Sequence, residues 1–235
     1  MRKWTAVAYA AGVALLAAGC GAGSDNSFAD QSAKDITQAA SADMKALQSL
    51  RISGDISTGG QKVDIDMQST TDGDCQGTVK VGGGTAQIVS SGGSYWMKPD
   101  NAFWEQTAGS RASVIEKAIG DKWVTVPSNS GLDEVCHLDN FLKAFDTSDN
   151  PSATPSNAGS ERVDGQDAVK ITGEEKGQQV SAWVATGDKH YILKLEVGSP
   201  GDSDSGALAF SDFDEPVDVT TPAPSEVADL SSLGG

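Results

Sequence analysis

The chain has 235 residues, and its 33 acidic side chains outnumber its 17 basic ones, which gives a net charge of -16. A nucleic-acid-binding protein needs a basic surface, so this composition excludes that class, and an anionic lipid surface repels the chain for the same reason. The length favours a single domain. Only 2 histidines are present, which leaves little material for histidine-based metal or general-base sites.

The N-terminus has the layout of a secretory signal peptide. Arg2 and Lys3 precede an apolar run at residues 6–19, which is shorter than the roughly 20 residues of a transmembrane helix. Cys20 follows, and the small residues before it resemble the bacterial lipobox, with Ala17 where a leucine is usual. The resemblance implies removal of residues 1–19. An ordinary signal peptide with an incidental cysteine is the alternative.

The same resemblance predicts how the chain is attached to the cell. Cys20 would carry a diacylglyceryl group with fatty acids such as palmitate, and two acyl chains are what stable anchoring requires. The protein would then be a lipoprotein on the extracytoplasmic face of the cell membrane. Residues 20–33 are rich in Gly, Ser, Asp and Asn, which predicts a flexible tether.

The two remaining cysteines, Cys75 and Cys136, are expected to form a disulfide. Both would lie in an oxidising, extracytoplasmic compartment, where an even pair most often bridges. The bridge would close a loop of 61 positions and contribute roughly 4 kcal/mol in the chain-entropy model. Two buried free thiols or a metal pair are the alternatives, although no CxxC motif or nearby histidine pair favours a metal.

The first half of the mature chain predicts one helix followed by a meander of strands. Apolar residues recur at helical spacing in residues 32–50, at Ile36, Ala40, Met44 and Leu47. The period then changes to two, with Gly-rich turns between short apolar runs. The predicted strands are residues 51–57, 61–69, 76–81, 85–90, 95–97 and 103–105.

The middle and the second half continue this alternation of types. Residues 113–119 and 132–145 have helical spacing, and a short strand is predicted at 122–126 between them. Residues 146–160 are rich in Ser, Pro, Asn and Asp and predict an exposed loop. Strands return at residues 167–172, 179–185, 190–197, 207–213 and 217–220, with a polar loop at 199–205. The main domain would span residues 34–222, and 223–235 would form a C-terminal tail.

A sheet with one apolar face needs a cover, and the three helices are the candidates. The predicted fold class is therefore α+β: a large curved antiparallel sheet, or open half-barrel, covered on its concave face by α-helices.

The order of these elements resembles that of a known family. Lipobox, tether, amphipathic helix, strand meander, helical insert and second strand set follow one another, with the phrases at residues 165–170 and 210–219. This order over roughly residues 30–222 is similar to that of the LppX/LprG-type lipoproteins and, more distantly, of the LolA/LolB-like lipoprotein carriers. The resemblance implies an apolar cavity between sheet and helices that binds a lipid or acyl chains.

The strand periodicity and the helix stripe select the residues that would line such a cavity. One face of the sheet carries the apolar positions, and the helix at 132–145 would cover it; a tryptophan of the sheet can also line an apolar pocket. The predicted ligand-binding residues are Ile65, Met67, Val79, Val81, Trp96, Leu138, Phe141, Leu142, Phe145, Leu193 and Leu195.

Catalytic and metal-binding chemistry finds little support in the sequence. The acidic pairs, such as Asp64 with Asp66, are better explained as the solvated face of a strand than as calcium ligands. His137 follows a cysteine that the disulfide would use, so a Cys-His nucleophile is disfavoured. No phosphate-binding, dinucleotide or nucleophile-elbow motif occurs. We therefore expect no cofactor, no metal and no enzymatic activity. The rival hypothesis is an interaction lipoprotein with a filled core and an acidic surface for an envelope partner.

Overall fold

The computed structural model describes residues 28–127, 132–143, 154–175 and 177–228, and they form one antiparallel sheet of eleven strands with helices on one face. The spatial order is β6-β5-β4-β3-β2-β1-β11-β10-β9-β8-β7, so two meanders meet where β1 pairs with β11. The strands are β1 Ser49–Thr58, β2 Gln61–Thr70, β3 Cys75–Val81, β4 Gly84–Ser91, β5 Ser94–Pro99, β6 Val124–Val126, β7 Ser156–Val163, β8 Gln166–Glu175, β9 Gln178–Ala185, β10 Ile192–Val197 and β11 Ser205–Ser211.

The helices fall into two groups along the chain. The first group is α1 alone, Ala33–Lys45, which precedes the sheet. The second group lies between β5 and β7 and consists of α2 Asn101–Ala108, α3 Ala112–Ile119, α4 Leu132–Cys136 and α5 Leu138–Leu142. The predicted α+β class, a large antiparallel sheet covered by helices, is confirmed. Within the described residues, no helix is both long enough and apolar enough to cross a bilayer.

Helix α1 forms where the apolar spacing predicted it, but it is shorter than expected. Ser32 caps its start by accepting a hydrogen bond from the Asp35 N–H at 3.2 Å. The helix ends at Lys45, because the next residues are taken up by the sheet: Gln48 donates its N–H to Asp214 at 2.7 Å, and Ser49 begins β1. Leu47, counted in the helical stripe, is buried after the helix has ended.

Two glycines allow the central strands to pair closely. Gly54 in β1 has φ +144°, and a side chain there would overlap the carbonyl oxygen of Ala207 in the neighbouring β11. Gly77 in β3 has φ +158°, and a side chain there would overlap the carbonyl oxygen of Asp66 in β2. Because other residues rarely adopt this conformation, glycine is required at both of these close strand contacts.

Three predictions about local structure were wrong. Residues 103–105 belong to α2 and not to a strand, because the Asp100 side chain caps the helix by accepting from the Phe103 N–H at 2.8 Å. The polar region 146–160 contains the start of β7, which pairs with β8 at the edge of the sheet, where both faces are wet and no apolar alternation is needed. Residues 217–220 form no strand.

The predicted helix at 132–145 is divided. His137 leaves the helical conformation between α4 and α5 and forms a bridge to Thr70 at the end of β2. Phe145 lies outside the described residues.

Described residues on the far side of the domain boundaries predicted at 34 and 222 contact the sheet and its helices. Phe28 and Ala29, which fall in the predicted tether 20–33, are buried, and the Phe28 ring stacks on His190 at 3.8 Å between centroids. At the other end, the Trp123 N–H donates to Glu226 at 2.9 Å, and the Ala228 N–H donates back to Trp123 at 2.7 Å. This C-terminal segment covers the edge of the sheet beside β6.

Candidate functional site

The apolar face of the sheet is divided into a covered half and an open half. Strand register places its residues in three rows that run across the strands. The inner row crosses β3 to β8 and contains Gly77, Met67, Ile52, Phe210, Ile192, Val184 and Val169. Its large members are all buried, as shown by Met67, Ile52 and Phe210 at 1%, 4% and 3% exposure. The inner row is therefore part of the core.

Helices α1 and α5 cover most of this inner row. Ile36, Met44 and Leu138 are fully buried, and they belong to one cluster with Ile52 and Val184 of the sheet. The Phe141 ring of α5 lies 5.8 Å from the ring of Phe210. The two helices thus fill this half of the half-barrel with side chains.

The other two rows are less completely covered. Residues of the middle row, among them Ile65 and Leu195, pack against the core clusters, whereas no described residue of the outer row belongs to or packs on one. The middle row contains Val79, Ile65, Gly54, Leu208, Leu195, Ala182 and Ile171. The outer row contains Val81, Val63, Ile56, Gly206, Val197, Val180 and Gly173. All of these residues except Ile171 are half-buried, although the side chains are aliphatic. We call the surface formed by the middle and outer rows the open cleft.

The open cleft is long enough for an extended apolar ligand. It crosses seven strands, and six intervals of about 4.8 Å give a length of about 29 Å. Aliphatic surface of this extent is usually covered, because exposing apolar area to water is unfavourable by about 25 cal/mol per Å². A contiguous half-buried apolar surface on a concave sheet is typical of a binding site for an apolar ligand.

Helix α2 closes one end of the cleft. Gly84 at the start of β4 lies against the backbone of α2, where any side chain would overlap Ala102 and Phe103. The Phe103 side chain packs on the buried cluster formed by Met67, Ala86 and Ile88 with the disulfide. The close approach that Gly84 permits therefore brings the second group of helices onto β3 and β4.

Cys75 and Cys136 form the predicted disulfide, with 5.1 Å between their Cα atoms. It joins the start of β3 to the end of α4. The Ser69 hydroxyl adds a hydrogen bond of 3.0 Å to the carbonyl of Val135 beside it. These contacts hold the junction of α4 and α5 at the strand ends that lie next to the inner row, away from the open cleft.

Asp43 attaches α1 to the sheet by electrostatic contacts. It accepts hydrogen bonds from the His190 N–H at 2.8 Å and the His190 ring at 3.1 Å, and Lys189 lies 3.4 Å away. Burial acts to raise the pKa of Asp43, but the hydrogen bonds from His190 and the charge of Lys189 outweigh it and hold that pKa below its ordinary value. The ionised carboxylate therefore stabilises the position of the covering helix.

The structure brings together only part of the predicted ligand-binding set. Ile65, Val79, Val81 and Leu195 lie in the open cleft. Met67, Leu138 and Leu142 are buried in the core, and Phe141 is half-buried against it. These four residues belong to the packed interface between the sheet and its helices and do not line the open cleft.

Two of the predicted residues lie on the opposite face of the sheet. An irregularity between Ile192 and Lys194 breaks the alternation of β10, so Leu193 packs with Ala168 and Trp183 on that face. Trp96 is adjacent to Tyr95, which points into the core, and its strand neighbour is Val89. Neither residue contributes to the cleft.

The cleft contains residues that sequence reasoning did not select. They are Val63, Ile56, Leu208, Ala182, Val180 and Val197. Their period-two spacing was visible in the sequence, but their proximity to one another depends on the pairing of β1 with β11, which joins residues about 150 positions apart. Among the described residues, no group of three or more His, Cys, Asp or Glu is placed to hold a metal ion.

The same fold, an antiparallel sheet covered by helices, occurs in two solved mycobacterial structures. The crystal structure of LprF from Mycobacterium bovis is similar with a TM-score of 0.58 and 15% identity, over 81% of this chain and 97% of that one. Lipoprotein LppX from Mycobacterium tuberculosis is similar with a TM-score of 0.52 and 16% identity, over 83% of this chain and 100% of that one. No protein-family model and no curated protein sequence matches the chain. The predicted LppX/LprG-like fold is confirmed.

Proposed function

We propose that this protein is a lipoprotein, anchored through a diacylglyceryl group on Cys20 to the extracytoplasmic face of the cell membrane, that binds an apolar ligand in the open cleft. The observation that carries the proposal is the continuous half-buried aliphatic surface of the middle and outer rows, from Val81 on β3 to Val180 on β9. A lipid or acyl chain has the extended apolar surface that would cover these two rows. The likeness to LprF and LppX supports the fold on which this proposal rests.

The rival function is an interaction lipoprotein with a filled core. It is favoured by one observation, the dense packing of α1 and α5 on the inner row, where Ile36, Met44 and Leu138 are fully buried. Under this hypothesis the open cleft would be a docking surface for a protein of the envelope and would hold no lipid.

A substitution in the outer row separates the two functions. Val180 is half-buried in the open cleft, and its neighbour Ser181 is half-buried on the opposite face of the same strand. A carrier with Val180→Trp should lose lipid that otherwise co-purifies with it, as measured by mass spectrometry of an organic extract. The matched Ser181→Trp variant should keep it.

Thermal unfolding of both variants provides the control for folding. Val180→Trp should change Tm by only a few degrees, because the site is partly open to solvent. Absence of any co-purifying lipid from the unsubstituted protein, or equal lipid content in both variants, would overturn the proposed carrier function.

A further inference from the structure

The open cleft lacks the charges that a lipid with an anionic group would need. In the described part of the chain, the middle and outer rows consist only of Val, Ile, Leu, Ala and Gly, with no Lys or Arg side chain in either row. A carboxylate or phosphate drawn into this surface would lose its hydration without gaining a partner, which is strongly unfavourable.

The polar positions that border the outer row do not supply a cation either. Gln61 on β2, and Glu175 with Gln178 on β8 and β9, follow the outer row on the same face of the sheet. Gln178 donates a hydrogen bond of 2.7 Å to the carbonyl of Asp204, and the Asp204 carboxylate accepts from the Gly59 N–H at 3.1 Å. The ionisable groups of this border, Glu175 and Asp204, are acids. Lys176 lies outside the described residues.

Two described lysines near these strands have partners away from the cleft. Lys62 extends on the opposite face of β2, where it pairs with Asp64 at 3.3 Å and Asp55 at 3.8 Å. Lys143, at the end of α5, donates to Asn140 at 2.7 Å. The whole chain has a net charge of -16, so the long-range field also disfavours an anion.

We infer that the open cleft selects uncharged lipids, such as esters whose polar end carries carbonyl or hydroxyl oxygens, and rejects free fatty acids and other lipids with an anionic group at the cleft. The inference rests on the proposed function and names the chemical class of the ligand. Side-chain amides of Gln61 and Gln178 at the border can hydrogen-bond to ester or hydroxyl oxygens without introducing a charge.

A matched pair of fluorescent ligands tests this selectivity. cis-Parinaric acid and its methyl ester have the same polyene chain and differ only in the carboxylate, which is ionised at about pH 8. Each is titrated into the purified full-length protein after removal of endogenous lipid. We expect the ester to bind at least about tenfold more tightly than the acid, with the preference decreasing as acidification neutralises the acid.

A charge reversal at the border provides the second measurement. Glu175 and Glu174 are adjacent and exposed, but only Glu175 lies on the cleft side of β8. Glu175→Lys should raise the affinity for the acid several-fold and leave the ester nearly unchanged. Glu174→Lys makes the same change of net charge on the opposite face and should alter neither.

The outcomes distinguish failure of the inference from failure of the proposed function. Equal or tighter binding of the acid at about pH 8 would overturn the charge selectivity and leave the carrier function standing. An equal change in acid affinity for both lysine variants would show that the acid binds away from the cleft border. That result would also overturn the charge selectivity. If the protein binds neither ligand, the inference falls together with the proposed function.

Discussion

At the scale of single residues, the shape of the sheet depends on positions where a side chain cannot be accommodated. Gly54 lies between Ile65 on β2 and Leu208 on β11, at the middle of the open cleft. Its φ of +144° is rare for other residues, and a side chain would overlap the carbonyl of Ala207. Gly173, also in the cleft, has no such restriction: the nearest atom that a Cβ there would meet is the Cα of Pro155, at 4.0 Å.

These two glycines give a matched prediction for stability. Gly54→Ala should lower the free energy of unfolding by about 1–3 kcal/mol from backbone strain alone. The overlap with β11 should add to this loss. Gly173→Ala should have an effect within about 0.5 kcal/mol, as is usual for a substitution that creates no strain. Urea denaturation of both variants checks the difference. Similar losses for both would show that glycine is not required at position 54.

Asp43 gives a prediction for the dependence of stability on pH. Its pKa in the folded protein is lowered, so the unfolded state binds a proton more readily. The stabilisation it contributes is therefore fully present above the unfolded pKa of about 3.9 and is lost as the pH falls through the folded value. Asp43→Asn should be less stable than the unsubstituted protein at neutral pH, and the difference should shrink in acid.

Thermal unfolding across this pH range checks the role of Asp43. The exposed Asp72 serves as the control, and Asp72→Asn should leave the pH profile unchanged. A difference between Asp43→Asn and the unsubstituted protein that stays constant from neutral to strongly acidic pH would contradict a role for the ionised carboxylate.

At the scale of elements, a disulfide and hydrogen bonds attach the junction of α4 and α5 to strands β2 and β3. The disulfide ties α4 to β3, and Ser69 and Thr70 of β2 contact the residues on either side of Cys136. Both sulfur atoms belong to fully buried cysteines, which pack with Met67 and Ile88. The bridge therefore lies inside an apolar cluster to which α2 and α4 contribute side chains.

Removal of this bridge should destabilise the fold. The closed loop of 61 positions corresponds to roughly 4 kcal/mol in the chain-entropy model. The double variant Cys75→Ala/Cys136→Ala should therefore have a markedly lower Tm, and a reducing agent should lower the Tm of the unsubstituted protein but not that of the variant. Equal Tm values with and without the reductant would contradict a stabilising disulfide.

At the scale of the whole molecule, the number of residues between Cys20 and the described domain limits how far an anchor at Cys20 could hold the domain from a membrane. The described chain begins at Phe28, which is held against His190 at the covered end of β10. Phe28 lies eight positions after Cys20, so a fully extended connection reaches about 27 Å at most. An anchor at Cys20 would therefore keep the domain close to the membrane surface, and the charge of -16 would repel it from anionic headgroups.

Cys20→Ser tests the anchor directly. If Cys20 is lipidated, the variant should leave the membrane fraction or accumulate as an unprocessed precursor, because serine accepts no diacylglyceryl thioether. Metabolic labelling with a radioactive fatty acid should mark the unsubstituted protein only. Equal labelling of both proteins would contradict lipidation at Cys20. The two proteins should fold equally well, since position 20 precedes the described domain.

Local patterns in the chain were sufficient for most of the elements. The step of four between Ile36, Ala40 and Met44 determines α1, and the alternation in residues 61–69 determines which face of β2 is apolar. Both follow from the geometry of a single helix or strand. The same local reasoning failed at Leu193, where an irregularity in β10 reverses the face, and at β7, whose polar sequence carries no alternation.

Only the tertiary structure decided which apolar residues are core and which form the cleft. Met67 and Val63 have the same spacing on the same strand, yet one is covered by helices and the other is half-buried. The difference arises because helices from distant parts of the chain pack on one half of the sheet, and because β1 pairs with β11 to join the two meanders. Residue spacing along one strand contains no information about either contact, since both depend on pairings between segments far apart in the chain.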